Sequence, residues 1–187
     1  MKDEIRVLGI DDGFFLKHTG ERVLVVGAVL RGSKELDGIL SCHIKKDGND
    51  ATERIVALIN GSRHKKQLKY VMTNGITFGG FNVLDICELN RKTNLPVISV
   101  LRKKPDFKSI EKALDHLPDK KERLDTIKKA GELYTYRKIY FQASGLSEKE
   151  AEEVIDKTIN KSNIPEPVRM AHLIASGVTY GESTKRA

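Results

Sequence analysis

The chain opens with three short apolar runs separated by polar and glycine-rich turns. Val7-Leu8-Gly9-Ile10 ends in Asp11-Asp12-Gly13, Leu24 to Leu30 turns back at Arg31-Gly32-Ser33, and Gly38 to Ile44 makes the third run. Runs of this length, bounded by turn residues, predict strands, and their close succession predicts an antiparallel meander. The period then changes. Asp50-Ala51-Thr52-Glu53 has the form of a capping box with Asp50 as its cap, and Ile55, Leu58 and Ile59 follow at helical spacing.

Beyond this point strand-like and helix-like segments alternate. Leu68 to Met72 and Val97 to Leu101 read as strands, and Phe81 to Arg91 between them as a helix. Helical patterns follow at Ile110 to Leu117 and Glu122 to Ala130, then a last strand at Lys138 to Ala143. Ser147-Glu148-Lys149-Glu150 is a second capping box. A final helix starts near Pro165, suited to a first turn, and stops at Gly177. No repeat, linker or low-complexity stretch breaks the pattern, so one domain over residues 1–187 is expected. The order predicts an α/β fold: a ribonuclease H-like mixed sheet, its first three strands antiparallel and the later ones joined by parallel crossovers, flanked by helices.

Composition narrows the function classes. The 187 residues are 39% hydrophobic and 32% charged, with no apolar segment long enough to span a bilayer, so no membrane role is expected. The acidic start, Met1-Lys2-Asp3-Glu4, is unlike a signal peptide. Only Cys42 and Cys87 occur, far apart, which predicts a reducing, cytoplasmic setting and no structural zinc. A net charge of +7 favours a polyanionic partner such as DNA or RNA. No pattern assigns an oligomeric state, although the apolar faces of the last two helices are the first candidates for an interface.

Asp11 and Asp12 are the most informative residues. Carboxylates at the end of a buried strand are costly unless a cation meets them. Strand alternation sends one of the two to each face, so only one is expected to point into a given site. Magnesium takes oxygen ligands through one or two carboxylates, with water and phosphate around the rest. Such a site suits attack on a phosphodiester. Asp47 is a second candidate ligand or a turn residue before Gly48. Asn74, ending the fourth strand, offers a neutral oxygen or begins an Asn-Gly turn.

Gly75, Gly79 and Gly80 lie between strand and helix, with a spacing that matches no nucleotide-binding loop. Arg102-Lys103-Lys104 is a basic cluster able to contact phosphates or simply a solvated strand end. Glu166, Arg169 and His172 share one helical face. They form a surface ion pair with a packed histidine, line a nucleic-acid groove, or support metal carboxylates from behind. His18, His43, His64 and His116 have no ligand spacing. Tyr134, Tyr136, Tyr140 and Phe141 are candidates for base stacking or for core packing.

Three stretches together resemble the archaeal endonuclease dU family: Val7 to Gly13, Asn74-Gly75-Ile76-Thr77-Phe78-Gly79-Gly80-Phe81-Asn82-Val83-Leu84-Asp85, and Ile164-Pro165-Glu166-Pro167-Val168-Arg169-Met170-Ala171-His172. That family is itself distantly similar to endonuclease V. The resemblance implies a magnesium-dependent endonuclease, with manganese as a possible substitute, that nicks nucleic acid near deaminated bases, DNA being favoured over RNA. On the nuclease reading the expected metal ligands are Asp11, Asp12, Asp47 and Asn74. The catalytic cation is Lys103, with Arg102 or Lys104 as the other possible equivalents. The expected nucleic-acid contacts are Arg102 and Lys104 and, from their helical face, Arg169 and His172, the resemblance assigning their stretch a position and no role. Two departures stand out: Asn74 falls where endonuclease V has an aspartate, and the glutamate after its third strand is missing, Asp47 being the nearest substitute. The strand-separating wedge of endonuclease V has no clear counterpart, the local sequence being Leu36-Asp37-Gly38-Ile39. The alternative is a non-catalytic nucleic-acid-binding module of the same fold.

Overall fold

The structure, a computed structural model, describes residues 5–15 and 22–183. The expectations for Met1 to Glu4 and for His18 lie outside these residues. Strands β1 (Arg6–Asp12), β2 (Arg22–Arg31) and β3 (Glu35–Lys45) form the antiparallel meander. Helix α1 (Ala51–Asn60) then crosses to β4 (Leu68–Asn74), which lies parallel to β1. A small hairpin, β5 (Thr77–Phe78) and β6 (Asn82–Val83), precedes α2 (Ile86–Thr93) and β7 (Val97–Leu101), which is parallel to β4. Helices α3 (Phe107–Ala113) and α4 (Lys120–Lys129) lead to β8 (Tyr134–Tyr136) and β9 (Ile139–Ser144). Helices α5 (Glu148–Thr158) and α6 (Glu166–Tyr180) follow. The seven-stranded sheet runs β3-β2-β1-β4-β7-β9-β8.

Each face of the sheet carries its own core. Leu8, Ile10, Val71 and Val97 pack with Ile55 and Ile59 of α1 and with Ile86 and Leu89 of α2. Val7, Met72, Ile98 and Val100 pack with Val154 and Ile155 of α5 and with Val168 of α6. Residues of α5 and the first turn of α6 are thus buried against the sheet, while Val178 and Tyr180 near the end of α6 stay exposed. No helix among the described residues is long and apolar enough to cross a membrane.

One close approach sets the position of α6. A Cβ on Gly9 would lie 2.0 Å from the carbonyl carbon and oxygen of Pro167, so the first turn of α6 rests on the backbone of β1. Glycine is needed there for contact, not for an unusual φ. Asp11, two residues further along the same face of β1, is thereby brought opposite His172.

Several segments depart from the pattern. Residues 81–85 are not helical: Gly79 (φ 53°) and Gly80 (φ 92°) turn the chain into the β5–β6 hairpin, and α2 begins only after Asp85, whose side chain accepts the Glu88 N–H. The sheet has two parallel pairings, and β9 returns antiparallel to β7. Helix α6 passes through Gly177 and ends at Gly181, which adopts the left-handed conformation at φ 85° that glycine accepts most readily. The Ser147 capping box is present as expected, with the Ser147 side chain and Glu150 bonding reciprocally.

Candidate active site

The carboxyl ends of the central parallel strands meet at one edge, the usual place for a site in sheets of this kind. Asp11 is buried, with 2% of its surface exposed. Its Oδ2 lies 2.8 Å from His172 Nδ1 and accepts a hydrogen bond from Asn74 Nδ2 at 3.1 Å. Its Oδ1 accepts the Asp12 N–H at 2.9 Å. Asp12 turns the other way, and its Oδ2 accepts the Gly79 N–H at 2.6 Å. The alternation expected for the two carboxylates thus holds. Because the strand ends here, they nevertheless remain close enough to feel each other.

The electrostatic result falls on Asp12. Burial, and then the neighbouring Asp11 carboxylate, push the Asp12 carboxyl from 3.8 up to about 7, against the opposing pull of the Gly79 N–H. In that window the folded chain binds more protons than the unfolded one, so stability falls as pH rises from about 4 to about 7 and is level above. Thermal unfolding in EDTA is expected to show this fall, and Asp12→Asn to flatten it.

The expected trio of Asp11, Asp12 and Asp47 is not assembled. Asp47 sits on the far side of the hairpin turn, where its Oδ1 accepts the Phe81 N–H at 2.8 Å and its own N–H bonds Gly79 O at 2.8 Å. Among the described residues, no three His, Cys, Asp or Glu side chains form a metal-binding group. Asn74 presents its nitrogen, not its oxygen, to Asp11. Asp50 does not cap α1 through its side chain. Its Oδ1 instead accepts from Lys45 N–H at 3.0 Å and from Asn82 Nδ2 at 2.7 Å, while Asn82 Oδ1 takes the Ala51 N–H at 2.9 Å. Asn82 ties the hairpin to the start of α1, a task no local pattern announced.

Arg123 is the main residue that the sequence pattern did not disclose. From α4 it reaches Gly48 O and Asp47 O, each at 2.8 Å, and Phe81 O. It thus joins the Asp47 loop to the turn that holds Asp12. The only local sign was Asp119, four residues earlier, which pairs with it at 2.8 Å.

Other candidates divide. The Glu166–Arg169–His172 face splits in two: Arg169 pairs with buried Glu166 at 2.6 Å, and His172 serves Asp11. Arg102, Lys103 and Lys104 are exposed just past β7, whose Val100 pairs with Asn74. Lys103 is therefore three residues, at most about 11 Å of chain, from the register of Asn74. Phe141 is buried against Tyr134, and the Tyr136 hydroxyl donates to Asp156 at 2.8 Å, so packing occupies these aromatic residues.

The residues present fit a magnesium-like ion. Asp11 and Asp12 are hard oxygen donors that turn to opposite sides of the strand end, so an ion would take one of the two, and a single carboxylate suffices for an ion that keeps much of its water.

A profile of the family endonuclease dU matches residues 3–179. The chain belongs to the endonuclease dU family. By family it is a nuclease, a hydrolase of phosphodiester bonds. A UPF0215 protein of Methanothermobacter thermautotrophicus is 49% identical over 187 residues, covering 98% of this chain and 92% of that protein. A crystal structure of a protein of unknown function from Archaeoglobus fulgidus matches with a TM-score of 0.90 at 38% identity, covering 95% of this chain and all of that one, 100%. Endonuclease V of Ciona intestinalis, crystallised in complex with a 24mer DNA containing an inosine followed by a ribo-adenosine, matches with a TM-score of 0.57 at 15% identity, covering 90% and 83%. This distant likeness concerns the fold: the endonuclease dU sheet is ribonuclease H-like.

Proposed function

We propose that this endonuclease dU protein nicks DNA near deaminated bases, deoxyuridine or deoxyinosine, with a magnesium or manganese ion bound at the strand end by Asp11 or Asp12. The observation that carries the reading is the pair of strand-end carboxylates, Asp11 buried and Asp12 half-buried, with burial and the Asp11 charge holding the Asp12 carboxyl up at about 7. The family description supports the substrate class, and the DNA held by the Ciona intestinalis protein supports the polymer.

When bound, the ion supplies charge for the phosphate in the transition state and lowers the pKa of water. The chain's own residues do the rest. Asp11 or Asp12 would hold the ion, Asn74 and His172 fix the Asp11 carboxylate from two sides, and the Gly79 N–H fixes Asp12. Lys103, with Arg102 and Lys104, neutralises the DNA backbone beside the site. Asp47 holds the hairpin turn in place. The two cysteines are unbridged, in keeping with action in a reducing cytoplasm.

The test is cleavage of end-labelled duplex and single-stranded oligonucleotides carrying one deoxyuridine or deoxyinosine. A nick that needs both lesion and metal is expected. Cutting that persists in EDTA would remove the metal, and equal cutting of undamaged strands would remove the lesion. His172→Ala is expected to raise the magnesium concentration for half-maximal cleavage about 10–100-fold, since it only orients a ligand. A binding module of the same fold is the second reading, drawn from the amide at Asn74. It predicts salt-sensitive binding without cleavage.

A further inference from the structure

Phe14 and Tyr180 come together at the edge of the candidate site, from opposite ends of the chain. Their rings meet edge to face, with centroids 5.3 Å apart and planes at 70°. Phe14 is 48% exposed and Tyr180 61%, two of the six large apolar side chains left exposed among the described residues. The pair is held firmly. The Phe14 N–H donates to Thr179 Oγ1 at 2.8 Å, and the Gly13 N–H to Leu24 O at 2.8 Å. A Cβ on Gly13 would come within 2.5 Å of Thr179 Cγ2, so the strand end and the helix end are in close contact. Rigid rings lose little freedom on binding.

Position and charge indicate what covers them. Phe14 is two residues past Asp12, at most about 7 Å of chain, so anything on the ring is beside the metal carboxylates. Basic residues flank the same edge. Arg22 and Lys45 lie directly opposite each other on β2 and β3, an arrangement that costs stability unless an anion joins them. They line a cleft of about 230 Å³ with His43, Asp50 and Arg54, the last two paired at 3.6 Å. Lys46 Nζ lies 5.9 Å from the centre of the Phe15 ring. Exposed aromatic rings and cationic side chains at the same end of the sheet match a nucleic-acid strand, its bases stacking and its phosphates tracking the charge.

We propose that Phe14 and Tyr180 are a stacking platform for an unpaired base of the strand being cut, with Arg22 and Lys45 taking the adjoining phosphates. The assignment rests on the nuclease reading above and adds to it a means of holding one base out of the duplex, in a chain that lacks an obvious wedge.

The test is binding of the full chain, in EDTA, to single-stranded and deoxyuridine-containing duplex oligonucleotides carrying 2-aminopurine at successive positions. Fluorescence quenching confined to one position is expected. Stacking on an aromatic ring contributes about 1–3 kcal/mol per base, so Phe14→Leu and Tyr180→Leu are each expected to weaken single-strand binding about tenfold and to abolish that quenching. Phe14→Tyr and Tyr180→Phe are expected to retain both. Unchanged thermal unfolding checks that the leucine variants fold, as expected for exposed side chains. Wild-type affinity and quenching in the double leucine variant would overturn the platform, and so would a change of oligomeric state in that variant without a change in binding, which would assign the patch to a second copy. Wild-type cleavage beside an unaffected double variant removes the platform and leaves the nuclease. Quenching lost in the double variant, with no cleavage by wild type under any metal, removes the nuclease and leaves the platform.

Discussion

Asp11→Asn is expected to lower the single-turnover rate of strand cleavage by about a thousandfold. The carboxylate accepts three hydrogen bonds, from His172, Asn74 and the Asp12 N–H, so its donors are already arranged around an anion. An amide removes the charge and sets an N–H against at least one of those donors. Loss of metal-based stabilisation amounts to several kcal/mol, and each 1.36 kcal/mol is tenfold in rate. The same change relieves Asp12, because the Asp11 charge is one of the causes that raise it. Asp11→Asn is therefore expected to cut slowly yet show a weaker loss of thermal stability between about pH 4 and 7. Asp47→Asn gives the contrast. Its carboxylate holds Phe81 N–H, which an amide oxygen can also accept, so a loss of no more than about tenfold is expected. Equal losses in the two variants would mean that Asp47 reaches the metal after all.

What the sequence disclosed and what it hid follow from the range of each interaction. Asp11 and Asp12 stood out because two charges at the end of an apolar strand contradict their surroundings, a conflict visible within seven residues. The Ser147 capping box and the bounds of β7 were equally local. Asp50 shows the limit. Its sequence context predicted a cap, but Asn82, 31 residues from Ala51, reaches that backbone first and leaves Asp50 to bind Lys45 and Asn82. The spacing of Gly79 and Gly80 matched no nucleotide-binding loop, and the Gly79 N–H serves Asp12, 67 residues away. The Phe14–Tyr180 pair left no pattern at all, and the aromatic residues that drew notice, Phe141 and Tyr134, are packed against each other. A side chain spent on a distant backbone group looks, in one dimension, like any polar residue.

Arg123→Ala is the stability counterpart to Asp11→Asn, with an expected loss of about 3–5 kcal/mol, the range seen when one partner of a buried ion pair is removed. Only 6% of Arg123 is exposed, and its guanidinium donates to the carbonyls of Asp47, Gly48 and Phe81 and to both oxygens of Asp119. Truncation leaves three carbonyls and a carboxylate without that donor at once. Lysine cannot replace it, because one ammonium lacks the planar fork that serves two directions together. Arg123→Lys is expected to recover less than half of the loss in urea unfolding. The consequence extends to the site. The Gly79 and Phe81 amides, which donate to Asp12 and Asp47, sit on the turn that Arg123 fastens. In the folded Arg123→Ala protein these two amides are expected to exchange hydrogen faster, while Val71, in the central strand, keeps its protection below the unfolding limit. Cleavage should fall with them even at temperatures where the chain stays folded. Slow exchange at Gly79 in that variant would show that β5–β6 holds Asp12 without help from α4, and Arg123 would then act on stability alone.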